Sequence, residues 1–328
     1  MMGQDKDYTG KYIGDFYIIK ELARGGMGII YLAEQISTQR RAAVKLSLAP
    51  MKDQQGQRFL REATLLASLN HPHLIRVFNI GQIGQFAYYA MEFLHGPSLR
   101  EIISDLRDGP QPNGPADHFP GAVLRIDKQN PFGPFPLSLV RLLCEGFAAV
   151  ADAVGYIHCR HIVHLDITTN NIMVNFDGRM ILLDFGLARL LSEPVEDVGR
   201  AKMGTPRFMA PEQITRQRQH LDERTDVYGL GVTLCELLTL QPVVPPGNLD
   251  EMFNKIKTGD INPPSRYYPE FPKDLEAILL RAISLRPEDR YSTAQEMAED
   301  IYRYLDGESV QAPLPRRRSA LRGFWITG

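Results

Sequence analysis

The patterning of this chain predicts an α+β fold in two lobes: a β-rich lobe with one main helix, then a mostly helical lobe. Two observations carry that prediction. Short apolar runs separated by polar or Gly-rich turns fill the chain up to Phe93, and beyond Gly96 the apolar residues recur at helical spacing.

Taken in order, Phe16-Tyr17-Ile18-Ile19, Ile29-Ile30-Tyr31-Leu32 and Ala42-Ala43-Val44-Lys45-Leu46 predict three antiparallel strands. Phe59, Ala63 and Leu66 then fall at helical spacing, with Glu62 one turn before Leu66 on nearly the same face. Strand signal returns over residues 74–80 and 86–93. In the second half, residues 137–158 read as a long apolar-rich helix, and residues 226–240 are apolar nearly all round, as a buried central helix should be. Between them Ile172-Met173-Val174 and Met180-Ile181-Leu182-Leu183 flank Asp177-Gly178 and predict a short hairpin. Thr293 with Glu296 forms a capping box for a final helix whose buried stripe is Met297, Ile301 and Leu305. One stretch breaks the pattern: residues 107–136 hold seven prolines and four glycines and predict an irregular insertion. Its apolar residues, among them Phe119, Leu124, Phe132 and Phe135, suit either packing on the helical lobe or docking a partner.

Composition narrows the function classes. The chain has 328 residues, 44% hydrophobic and 23% charged, which suits a globular protein large enough for two lobes. A net charge of −2 favours no nucleic-acid partner. Cys144, Cys159 and Cys235 lie far apart without a C-x-x-C pair, which argues against zinc or disulfides and for reduced thiols. The polar start and the lack of any long apolar run point to a cytoplasmic protein. The basic end, with Arg316-Arg317-Arg318, Arg322, Phe324 and Trp325, reads either as a disordered tail or as a stretch near a membrane.

The chemistry is concentrated around the predicted hairpin. His164-Leu165-Asp166 and Asn171 precede it, and Asp184-Phe185-Gly186 follows, so the hairpin brings Asn171 and Asp184 together at its open end. Moving a phosphoryl group to a hydroxyl needs a carboxylate beside the nucleophile and oxygen ligands holding Mg²⁺ against the phosphates; Asp166, Asn171 and Asp184 supply them. Upstream, Leu22, Gly25, Gly26 and Gly28 lie between the first two strands, where glycines let backbone N–H groups approach phosphates. Lys45 on the third strand and Glu62 on the helix suit a carboxylate-held lysine for the α- and β-phosphates.

In that order these motifs resemble the protein kinase family over residues 12–306, and the Gly-Gly-Met-Gly run is most similar to the bacterial Ser/Thr kinases of eukaryotic type. The matching residues also include Ala42-Ala43-Val44-Lys45, Met91-Glu92-Phe93-Leu94, Gly204-Thr205-Pro206, Ala210-Pro211-Glu212, Asp226-Val227-Tyr228 and Arg290. The resemblance implies a two-lobed protein kinase fold: a polar start at 1–11, an N-lobe at 12–91, a hinge at 92–96, a C-lobe at 97–306 with the insertion at 107–136, and a basic tail at 307–328. It implies ATP and Mg²⁺ as cofactors and proteins with Ser/Thr hydroxyls as substrates. By resemblance Met91 is the gatekeeper, the backbone of Glu92 and Leu94 meets adenine, and Ile30, Ala43 and Met173 enclose the purine. Asp166 is the base, Lys45 and Glu62 the phosphate-holding pair, Asn171 and Asp184 the metal ligands, and Thr205 lines the substrate pocket. Leu66, Val77, His164 and Phe185 would stack as an internal spine anchored by Asp226, and Glu212 would pair with Arg290.

The chain departs from the family's pattern at three places. Ala23 replaces the first loop glycine, a mild change. Leu165 stands where an arginine would receive an activation-loop phosphate, and between Asp184 and Glu212 the hydroxyl residues are only Ser192 and Thr205, so activity without loop phosphorylation is expected. Thr168 takes the place of the lysine that neutralises the transferring phosphate, a loss on the order of 10² to 10³ in rate. Arg207 is a candidate replacement. The competing readings are a weak or inactive pseudokinase that binds ATP, and a small-molecule phosphotransferase, the latter disfavoured by the peptide ledge implied by residues 204–212.

Overall fold

Six antiparallel strands build the first lobe of the computed structural model, which describes residues 7–108, 133–191, 205–215 and 221–314. The strands are β1 (Tyr12–Ile13), β2 (Phe16–Arg24), β3 (Gly28–Gln35), β4 (Arg40–Pro50), β5 (Val77–Ile83) and β6 (Phe86–Glu92), in the order β1-β2-β3-β4-β6-β5. Tight turns at Gly14 (φ +57°) and Gly84 (φ +58°) use backbone that a side chain would strain. One face of the sheet buries Phe16, Ile18, Tyr31, Val44 and Tyr88 in a core of its own. The other face receives α1 (Gln54–Ala67) through Phe59, Ala63 and Leu66, with the Phe59 ring 5.2 Å from that of Tyr89. Burying Phe59 and Leu66 contributes roughly 1.5–3 kcal/mol each.

After α2 (Leu99–Asp108) the chain forms α3 (Leu137–His158), β7 (Ile162–Val163), β8 (Ile172–Val174), β9 (Met180–Leu182) and β10 (Arg189–Leu190). Then follow α4 (Pro211–Ile214), α5 (Glu223–Thr239), α6 (Leu249–Thr258), α7 (Pro264–Tyr267), α8 (Lys273–Ala282) and α9 (Ala294–Asp306). Helix α5 is the axis of this lobe, with every residue from Thr225 to Thr239 buried. Its core is continuous with the underside of the first lobe, for Leu66 and Val77 share a cluster with Leu182, Phe185 and Leu234. Backbone bonds join the lobes too: Ile75 N–H donates to Leu182 O at 3.0 Å, and Leu182 N–H to His73 O at 2.9 Å. Among the described residues no helix is long and apolar enough to cross a membrane.

Several element ends differ from the sequence expectation for local reasons. The strand expected over 74–80 starts only at Val77, because the backbone before it is bonded to β9 across the lobes. Tyr8 is buried over Tyr31, and Gly10 N–H donates to Ile18 O at 2.9 Å, so the folded lobe begins before Tyr12. The central helix starts three residues early, at Glu223, where Asp222 accepts Arg224 N–H at 2.9 Å. At α9 Thr293 caps Glu296 N–H at 3.1 Å, while the Glu296 carboxylate turns to Ser292 N–H at 2.9 Å. Past Gly307 the chain folds back, Gln311 and Ala312 donating their N–H groups to buried Asp300 at 2.7 and 2.9 Å. The insertion between 109 and 132, Ser192, Gly204 and the basic tail from 315 lie outside the described residues.

Candidate active site

Strands β8 and β9 pair with Met173 opposite Ile181, and at their open end Leu183 N–H donates to Asn171 O at 2.7 Å. The expected meeting of Asn171 and Asp184 follows from that register. Asn171 Nδ2 donates to the Asp166 backbone oxygen at 2.8 Å and to its Oδ2 at 2.9 Å, while Thr205 N–H donates to Asp166 Oδ1 at 3.2 Å. Two non-glycine residues here take left-handed backbone, Leu165 at φ 65° and Asp184 at φ 51°. Such a conformation costs roughly 1–2 kcal/mol for an L-residue. At Leu165 it is held by buried Asp226, which accepts the N–H groups of His164 and Leu165, each at 2.7 Å, and meets His158 Nε2 at 2.9 Å. Burial alone would raise the pKa of Asp226; His158 and these N–H donors hold it below the ordinary value instead.

Lys45 lies between two carboxylates, 2.7 Å from Glu62 Oε1 and 3.5 Å from Asp184 Oδ1. Tyr89 Oη donates to the same Glu62 oxygen at 2.6 Å. Burial would lower the Lys45 pKa, but Asp184 and Glu62 raise it above normal, so the ammonium is secured. Burial pushes Glu62 up, with Lys45 opposing. Asp184 has a side chain 52% exposed, and Lys45 and the Gly186 N–H hold its pKa below the ordinary value. For Asp166 burial wins and raises the pKa, Asp184 adding to it and His164, Thr205 N–H and Asn171 opposing.

The glycine-rich turn closes with Gly25 N–H on Gly28 O at 3.0 Å. A Cβ at Gly25 or Gly26 would meet nothing within 4 Å, whereas one at Gly28 would lie 2.6 Å from Leu46 O, so the turn is pressed on its strand at Gly28 and open at its tip. Leu22 is exposed, Ile30 and Met173 half-buried, and Ala43 buried opposite Met91. Met91 and Leu94 pack against the main core, and Glu92 exchanges bonds with Arg76, N–H to O at 3.0 Å and Oε1 from N–H at 3.0 Å. The first lobe thus contributes a glycine-rich turn open at its tip, and the second contributes the oxygens of Asp166, Asn171 and Asp184. Asp184 Oδ1 is engaged by Gly186 N–H at 3.1 Å, which leaves Oδ2; Asn171 donates through Nδ2, which leaves Oδ1. Two such oxygens suit a hard cation that completes its shell with phosphate oxygens and water.

The model of the protein kinase domain matches residues 16–302. The chain belongs to the protein kinase family. It is similar to the serine/threonine-protein kinase PknD of Protochlamydia amoebophila, 30% identical over 93% of this chain and 32% of that protein. It is also similar to the serine/threonine-protein kinase PknB of Mycobacterium tuberculosis, 31% identical over 93% of this chain and 45% of that one. A tyrosine-protein kinase, MasK of Myxococcus xanthus, is 28% identical over 89% of this chain and 43% of its own length. The chain thus spans 32 to 45% of the length of these curated relatives.

Of the expected spine, Leu66, Val77, His164 and Phe185 are all buried, and the His164 and Phe185 rings meet edge-on at 4.6 Å. Arg290, fully buried at its side chain, grips Glu212 through two bonds of 2.7 and 2.9 Å. Thr168 is completely covered by protein, and its hydroxyl accepts Asn170 N–H at 3.2 Å. Arg207, the residue considered as its replacement, is held instead by Glu236 at 3.0 Å. Sequence reasoning missed Gln213, which accepts Ala210 N–H at 2.8 Å and donates to Leu165 O at 2.9 Å, and it missed His158 beneath Asp226. Neither carries a local signal, since each matters only for what it reaches across the fold.

Proposed function

We propose that this chain transfers the γ-phosphate of Mg-ATP to Ser/Thr hydroxyls of proteins, without prior phosphorylation of its activation loop. The observation that carries the reading is the closed chain Glu62–Lys45–Asp184, at 2.7 and 3.5 Å, standing with the Asp166–Asn171–Thr205 cluster. Bound Mg²⁺ would neutralise charge on the phosphates. Asp184 and Asn171 would hold that ion, and Lys45, kept charged by Glu62, would orient the α- and β-phosphates. Leu22, Gly25, Gly26 and Gly28 would cover the phosphates; Ile30, Ala43, Met91, Met173 and the backbone of Glu92 and Leu94 would take the adenine. Asp166 would orient the acceptor hydroxyl and take its proton, a role helped by its raised pKa. Thr205, tied to Asp166, supports Ser/Thr rather than Tyr acceptors, the preference named for PknB and PknD and not for MasK.

Independence from loop phosphorylation is supported by Leu165 and Gln213. With no arginine to receive a phosphate, a neutral amide ties the segment before α4 to the catalytic loop. The reading includes a cytoplasmic place of action, and the basic tail suits an acidic membrane surface nearby.

Incubation with ATP and Mg²⁺, followed by intact-mass measurement and peptide assays with Ser, Thr or Tyr acceptors, tests the proposal. Phosphate should appear on Ser or Thr and vanish in Asp184→Asn. Buried Thr168 favours a second reading, a pseudokinase that binds ATP as a module. ATP-induced stabilisation without any phosphate transfer would select it.

A further inference from the structure

The face beside Asp166 carries more guanidinium groups than the transfer chemistry uses. Arg207 stands two residues after Thr205 in a short 3-10 turn (Pro206–Phe208), so the backbone that bonds Asp166 also positions this cation. Its Nη2 meets Glu236 Oε1 at 3.0 Å, and Arg107 from the last turn of α2 meets the same oxygen at 3.5 Å. Arg107 also donates through Nε to Leu240 O. Arg100, exposed near the start of α2, is fastened to the catalytic loop by its N–H on Thr169 O at 2.9 Å, three residues past Asp166. Two cations thus meet one carboxylate whose side chain is 2% exposed, and Arg100 is near enough to act on it electrostatically. Of the acids on α2, Glu101 is turned onto Ser98, accepting its N–H at 2.7 Å and its hydroxyl at 2.8 Å, Asp108 accepts the Ser104 hydroxyl at 3.4 Å, and Asp105 is buried. The pKa of Arg207 is lowered, chiefly by burial, with Glu236 opposing and Arg100 and Arg107 adding to the lowering.

A guanidinium presents a planar fork of donors matched to carboxylate and phosphate oxygens. Glu236 neutralises one charge and is itself covered, so it is not offered to a basic substrate residue. We propose that this face is a substrate subsite for anionic residues: the kinase favours acceptor hydroxyls flanked within a few positions by carboxylate or phosphate groups, seated on exposed Arg100 in the positive field of Arg107 and Arg207. The proposal rests on the protein-kinase reading above but does not require phosphate transfer to be tested.

The test is fluorescence anisotropy of labelled Ser peptides that differ only in their flanks: Ala, Glu, phosphoserine or Arg. The Glu peptide should bind at least about fivefold tighter than the Ala peptide and the Arg peptide more weakly than both, with the gap shrinking at high salt. Arg100→Glu, at an exposed position that leaves the core untouched, should erase or reverse the Glu-to-Arg ratio. Phosphoserine binding more tightly than Glu supports the proposal and identifies phosphate as the preferred group; equal binding supports it as general acidity. An Arg-flanked peptide that binds as well as the Glu peptide, or a ratio unmoved in Arg100→Glu, overturns it. Preference in binding with no transfer to any peptide would sink the catalytic reading and leave the subsite standing.

Discussion

At the scale of single residues, Thr168 sets the rate question. A neutral, covered hydroxyl cannot offset charge on a transferring phosphate, and Arg207 is occupied by Glu236. Thr168→Lys should therefore raise kcat, on the order of tenfold or more, because a long stem can carry its ammonium out of a covered position. Steady-state kinetics with an unchanged peptide checks it, and an unaltered or lower kcat in a well-folded variant speaks against a missing charge as the limit. Asp166 offers a pH prediction. It works deprotonated, and burial, aided by Asp184, raises its pKa above the ordinary 3.8, so kcat should fall as pH drops, with a midpoint above that value. The acid limb should be absent from ATP binding measured in parallel. The motif residues were legible in the sequence because the chemistry restricts what they can be: oxygen donors for a hard ion, a lysine with a carboxylate. The direction in which Thr168 points was not legible, since a hydroxyl is equally at home facing a ligand or its own loop.

At the scale of elements, the joint between α4 and the loop before α9 shows how the helical lobe is braced. Arg290 reaches Glu212 bidentately and also donates to the carbonyls of Ser284 and Arg224, from a side chain with no exposure at all. Arg290→Leu would leave a largely covered carboxylate without its cation, a loss of about 3–5 kcal/mol. Urea unfolding should show the lowered midpoint, and a double variant Glu212→Gln with Arg290→Leu should recover part of it, because the stranded charge is gone. Elements of this kind were well placed by sequence: α3 and the β8–β9 hairpin appear where apolar spacing put them, since burial against neighbours enforces the period. Their ends were harder. The strand expected at 74–80 loses its first residues to bonds with β9, and α5 gains a turn from the Asp222 cap, both effects of partners distant in sequence or of geometry that spacing does not encode.

For the whole molecule, the proposed independence from loop phosphorylation raises the question of what keeps the two lobes in register. In this chain three links already close the assembly: Lys45 to Glu62 across the first lobe, Asp184 to Lys45 between lobes, and His164 against Phe185 above the Asp226 anchor. The fourth is Gln213, which spans from the segment before α4 to Leu165, the position where an arginine would otherwise wait for a charge. An amide bridge between backbone groups is satisfied at all times, whereas an arginine without its phosphate is a buried or mobile cation that disfavours the closed arrangement. Phosphatase-treated protein should consequently keep its rate within about twofold, and Ser192→Ala should match it. A loss of tenfold or more on phosphatase treatment, restored only when Ser192 is phosphorylated again, would show that a charge is required after all. Gln213→Ala provides the complementary arm: removing the bridge leaves Leu165 O and the buried Ala210 N–H without their partner. It should lower kcat by about tenfold, roughly 1.4 kcal/mol, with little change in ATP affinity, because the nucleotide half of the cleft is held by Lys45 and Glu62 and does not pass through Leu165.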